Sequence, residues 1–144
     1  MKTTLVITLW SLMMLLNNAQ AAEFTITVNN IDVKRGGNII VMLFSKQGFP
    51  KVHDQALAIQ SNKADVPQLS FHFDTLQSEL AVKILHDENG DGKVGKNWTG
   101  VYPAEGLGFS NNQRVGLTGP PKYKKTKVTQ EIFREGLTIS MLYP

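Results

Sequence analysis

The chain predicts an all-β fold: an antiparallel β-sandwich of immunoglobulin- or prealbumin-like type, with about seven strands and one long glycine-rich loop. Three observations predict it. Short segments alternate apolar and polar residues with a period of two, and glycine, asparagine and proline separate them. Beyond residue 21 no long run keeps a 3.6-residue apolar period. Strands joined by hairpin turns, with no helices to cover a parallel sheet, bury their apolar faces by stacking one sheet on another. The absence of cysteine rules out the Cys–Trp–Cys arrangement of an antibody-type domain.

Phe24-Thr25-Ile26-Thr27-Val28 alternates as a strand with one wet face does, and Ile31-Asp32-Val33 extends it past Asn29-Asn30. Lys34 to Asn38 supplies hairpin-turn residues. Ile39 to Phe44 (IIVMLF) is apolar throughout. The run is too short for a buried helix and starts with β-branched residues, so it reads as a central strand with one face in the core and the other under a long loop. From Ser45 to Val66 the pattern weakens: Gly48-Phe49-Pro50 is a turn, and Gln55 to Ser61 fits a short helix or an irregular strand.

Leu69 to Phe73 points Leu69, Phe71 and Phe73 inward and His72 outward. Leu80 to Leu85 follows a turn at Gln77-Ser78-Glu79 and points Leu80, Val82 and Ile84 inward. His86 to Pro121 has no sustained period, and a loop of that length is functional or held by its own contacts. Lys127 to Phe133 and Leu137 to Tyr143 close the chain as strands around a turn at Arg134-Glu135-Gly136. Leu137, Ile139, Met141 and Tyr143 share one face.

The first residues have a different character. Lys2 precedes an uncharged, mostly apolar run from Leu5 to Leu16, then Asn17-Asn18 and the small-residue signature Ala19-Gln20-Ala21. This is the pattern of a signal peptide over residues 1–21, leaving residues 22–144 as a single domain. The run is well short of the roughly 20 apolar residues a membrane helix needs. The expected product is exported, periplasmic or extracellular, and is not an integral membrane protein. With no cysteine its stability comes from packing, not disulfides. A formal charge of +3 before Lys2 is removed is too mild to specify a partner. Nucleic acid is not expected outside the cytoplasm; an envelope protein or glycan is.

Chemistry concentrates in one stretch. Asp87-Glu88-Asn89-Gly90-Asp91-Gly92 opens as a calcium loop does, with oxygen ligands at alternate positions and a glycine at the sixth. Asp87, Asn89 and Asp91 would turn inward, and Lys93 would offer its backbone carbonyl. The second half departs from the pattern, with Gly95 at the ninth position and Trp98 where a bidentate glutamate belongs. Glu105 is the nearest carboxylate that could complete a calcium site. The competing reading is that Asp87, Asn89 and Asp91 only bond nearby backbone amides, as turn Asp and Asn commonly do.

His86 to Lys93, then Gly100, Pro103, Glu105-Gly106, Gly108 to Asn112 and Gly119-Pro120-Pro121, together resemble the uncharacterised exported bacterial family catalogued as domain of unknown function 2141. The resemblance spans nearly all of the chain after residue 21 and implies a β-sandwich and export, without an activity. That family usually carries aspartate where this chain has Gly95, which removes one candidate ligand.

Other groupings are weaker. Gly108-Phe109-Ser110 lacks the strand, helix and final glycine of a nucleophile elbow, so Ser110 reads as a turn residue, with Asn111 and Asn112 suited to left-handed backbone. His53, His72 and His86 are too scattered for a zinc site. Neutral His86 could bond a loop carboxylate or carbonyl. Trp98, Tyr102, Phe109 and Tyr123 either form a stacking platform or cap Ile40, Met42 and Phe44 as a satellite core. Lys122 to Lys127 is the one basic cluster, read as protection of a sheet edge. The function expected is binding or structural, without catalysis. The alternative is an envelope carbohydrate hydrolase drawing on Asp87, Asp91 and Glu105, although two of these share one tight turn.

Overall fold

The alternating segments form two stacked sheets in the computed structural model, which describes residues 20–96, 100 and 102–144. The expected signal segment lies outside these residues up to position 19. The strands are β1 (Ala22–Asn29), β2 (Asn38–Phe44), β3 (Ala58–Lys63), β4 (Leu69–Thr75), β5 (Glu79–Asp87), β6 (Leu107–Phe109), β7 (Val128–Thr129) and β8 (Leu137–Ser140). One sheet has the order β4-β1-β8; the other runs β3-β2-β5-β6, with β7 also on β5. The all-β sandwich is evident in this order.

Period-two patterning places the core between the sheets. Phe24, Ile26 and Val28 face Ile39, Val41 and Leu43 from β2 and Leu80, Val82 and Ile84 from β5, all buried. The unbroken IIVMLF run is explained by a second apolar layer. Met42 and Phe44 point away from the first core and pack with Leu85, Leu107 and Phe109. The stretch after His86 supplies that cover, because β6 adds to the sheet beside β5 in the register Lys83↔Phe109.

Three expectations need correction, and one segment left open between helix and strand is resolved. Ile31 to Val33 does not extend β1: Asn30 takes φ 59° and a 3-10 turn follows over Val33–Arg35. Gln55 to Ser61 divides between the 3-10 turn His53–Gln55 and edge strand β3. Lys127 to Phe133 is not a full strand, because Gln130-Glu131 breaks the alternation. Only Val128–Thr129 pairs with β5; Gln130–Arg134 then coils into a helical turn that buries Phe133 against Phe24, ring centres 4.7 Å apart. A second helical turn, Tyr123–Thr126, precedes it, so the domain is not free of helix. That coiled crossing carries the chain from one sheet to the other, and β8 comes to lie parallel to β1 (Ile26↔Leu137 to Asn29↔Ser140) in an otherwise antiparallel structure.

Candidate functional site

Strand β5 alternates Leu80, Val82 and Ile84 into the core, which turns Ala81, Lys83 and Leu85 to the opposite face. On an open sheet that face would be wet. Here the segments around Pro50 and His53 cover it, and Lys83 is only 4% exposed. Its Nζ lies 2.8 Å from the Pro50 carbonyl and 2.7 Å from His53 Nε2. His53 Nδ1 lies 3.0 Å from the Gly92 carbonyl. A carbonyl only accepts, so Nδ1 carries the proton and Nε2 offers its lone pair to the Lys83 ammonium. Burial, and then the charge of Lys83, hold the His53 pKa below its ordinary value, in keeping with the neutral ring. Burial lowers the Lys83 pKa to about 8. The ion pairs among the described residues, Arg35 with Asp32 and Glu88 and Lys127 with Glu79, leave Lys83 without a carboxylate.

Lys83 and His53 line a cleft of about 920 Å³ on the outer face of the larger sheet. Ile40 and Met42 are part of its floor, and Ile59, Val94 and Val115 part of its walls. Lys51, Lys93, Lys96, Asp54 and Asp91 bring charge to it.

The acidic loop forms part of this rim. Asp87 is 3% exposed, and its two carboxylate oxygens accept the backbone N–H groups of Gly90 and Gly92, each at 2.9 Å. Asn89 Oδ1 accepts from Asp91 N–H at 3.1 Å, and Asp91 Oδ1 from Lys93 N–H at 2.8 Å. Glu105, 6% exposed, folds back as its position suggests, accepting from Glu88 N–H at 3.0 Å and Gly95 N–H at 2.7 Å. A Cβ at Gly95 would sit 3.2 Å from the Glu105 carboxylate, so glycine permits the approach. The alternate residues thus close the loop on its own amides. Among the described residues no three His, Cys, Asp or Glu side chains converge as a metal-binding group. The loop also serves the cleft, since the Gly92 that donates to Asp87 offers its carbonyl to His53.

A family model described as "Uncharacterized protein conserved in bacteria (DUF2141)" matches residues 26–132. The chain belongs to this family. The DUF2141 match includes His53, Lys83 and the whole acidic loop. No curated protein and no solved structure matches the chain.

The remaining candidates in this DUF2141 chain hold structure together. His86 is fully buried; its Nε2 donates to the Gly36 carbonyl at 2.6 Å and its Nδ1 accepts from Tyr143 Oη at 2.8 Å. Tyr143 Oη in turn accepts the Asp32 N–H at 2.9 Å, and this chain of bonds ties the end of the sequence to the β1–β2 turn. Ser110 Oγ accepts from Val82 N–H at 2.9 Å and donates to the Thr126 carbonyl at 2.7 Å, which leaves its hydroxyl no proton for a nucleophile's role. Asn111 and Asn112 take φ 55° and 51°, the left-handed backbone suggested by their type. Phe109 caps Met42 and Phe44 in the outer core, and Tyr123 stands edge-on to Phe49 at 5.9 Å. Tyr102 is 41% exposed, and Trp98 lies outside the described residues.

Reading the sequence missed Lys83 and His53 as a pair. The available signal was a lysine inside the apolar run LAVKIL, beside a strand apolar on both faces. Lysine is almost never fully buried without a partner, so that position was the anomaly. Its partner, thirty residues earlier in an aperiodic segment, left no local pattern.

Proposed function

We propose that this DUF2141 protein is an exported, non-catalytic binding module whose ligand occupies the Lys83 cleft. The observation that carries the reading is a buried amine at the base of an apolar-floored opening of about 920 Å³, a size typical of small-molecule sites. Export is supported by the signal-like start and by β1 beginning at Ala22, so that cleavage after Ala21 leaves every strand intact. No described helix is long and apolar enough to cross a membrane.

The test is titration of residues 22–144 with a neutral apolar fluorophore such as N-phenylnaphthylamine, read alongside amide NMR shifts. Saturable binding with shifts centred on Met42, His53, Lys83 and Gly92 is expected. Absence of saturable binding would overturn the reading. So would shifts centred on the open groove at His72 and Arg134 of the smaller sheet.

The hydrolase alternative needs two carboxylates across one opening. Asp87 and Glu105 are buried against amides, and the two carboxylates that line this cleft, Asp54 and Asp91, are both exposed on its rim with Lys51 and Lys93. Binding is the favoured reading, carried by the buried amine and the apolar floor. A calcium ion enters it as a secondary proposal, through lone pairs that Asp87, Asn89 and Asp91 keep after bonding to the loop amides. Asp87→Ala strands two amides and is expected to cost roughly 2–4 kcal/mol. Thermal melts with and without millimolar calcium separate the roles. A calcium-dependent rise in Tm that the variant loses supports the ion. An identical loss with and without calcium assigns Asp87 to the amides alone.

A further inference from the structure

We propose that the cleft is built for an amphiphilic monocarboxylate, its carboxylate on Lys83 Nζ and its apolar chain along Ile40, Met42 and Val115. The proposal rests on the cleft reading and names its ligand class. An ammonium has three N–H donors, and the Pro50 carbonyl and His53 Nε2 take two. The third belongs to a side chain that lines the cleft. His53 is committed at both nitrogens and neither supplies nor competes for the ligand's charge. A buried cation without a carboxylate is costly, and an incoming anion relieves that cost.

Charge on the rim points the same way. Lys51, Lys93 and Lys96 outnumber Asp54 and Asp91, and Asp91 already accepts the Lys93 N–H and the Asn89 side-chain amide. The number of donors selects the anion. Phosphate and sulfate sites recruit arginine forks or several N–H groups. This cleft has no arginine among its lining residues and one uncommitted donor at its base, which suits a singly charged carboxylate. Between that donor and the charged rim the lining is apolar at Ile40, Met42 and Val115, so the rest of the ligand is a hydrocarbon chain.

The experiment compares octanoate with octanol on residues 22–144 at pH 7, by calorimetry or NMR titration. Octanoate is expected to bind at least tenfold more tightly. That advantage should survive high salt, which screens the exposed Lys51, Lys93, Lys96, Asp54 and Asp91 but not a buried amine. It should vanish in Lys83→Met. It should also shrink as pH rises past about 8, where Lys83 loses its charge. The pH series uses the native chain and decides the matter even if the variant fails to fold. Equal affinity for octanoate and octanol overturns the anion assignment and leaves the cleft reading standing; binding of neither ligand overturns both. An octanoate advantage abolished by salt transfers the recognition to the rim and overturns the role of Lys83.

Discussion

Replacing Gly37 by alanine is expected to lower the melting temperature by roughly 10 °C, about 3 kcal/mol, while Gly36→Ala costs about a third as much. The two glycines are neighbours and both take a positive φ, +69° and +65°. At each, a new side chain is strained by that positive φ, at a cost of about 1 kcal/mol or more. They differ in what the added carbon meets. At Gly36 nothing lies within 4 Å, whereas at Gly37 the Cβ would fall 2.2 Å from the Asp87 carbonyl oxygen and 2.7 Å from Glu88 Cα. Those are backbone atoms held by the β2–β5 ladder at Asn38↔Asp87, where the acidic loop begins. Relief would require the ladder to open. Thermal melts of both variants check the claim, and equal losses would show that only backbone conformation matters at this turn.

The second large effect concerns pH. Stability of the native chain is expected to rise by roughly 2 kcal/mol between pH 7 and 10, and to rise much less in Lys83→Met. The folded pKa of Lys83 is about 8 against 10.5 for the ordinary side chain. Between those values the unfolded chain holds a proton that the folded chain has released, so raising the pH favours folding. Below about 8 both states are protonated and the full cost of the buried charge is present. Burial raises the pKa of Tyr123 and Tyr143, which acts in the opposite sense. A tyrosine raised above its usual 10 takes stability away as pH climbs past that ordinary value, so the Lys83 effect is read below pH 10. His53, held low, removes stability as the pH falls below its ordinary 6.5. Urea denaturation at several pH values, with native chain and variant side by side, measures the difference. Parallel pH profiles would mean that Lys83 is neither buried nor charged as described.

Much of the architecture could be read from residue pattern. Alternation located β1, β4 and β8, each with one core face, and in β5 it found the inner face of Leu80, Val82 and Ile84; the unbroken IIVMLF run announced cover on both sides of β2. The pattern failed where neighbours in space decide. Gln130–Arg134 coils because Phe133 finds a pocket beside Phe24, a contact between opposite ends of the chain. The acidic loop was legible, and its competing reading as a self-bonded turn describes the hydrogen bonds of Asp87, Asn89 and Asp91, whereas the two amides that Glu105 accepts from had no signal in the sequence.

By itself, the sequence determined the all-β class, the family and the position of the glycine-rich stretch, since each depends on residue types at short, regular spacing. Only the tertiary structure decided that β8 runs parallel to β1, and that Lys83 meets His53 and Pro50 beneath an open cleft. Periodicity tells which way a side chain points. Whether that direction ends in water or in a buried site depends on which distant segment closes over it, and His53 and Pro50 come from such a segment.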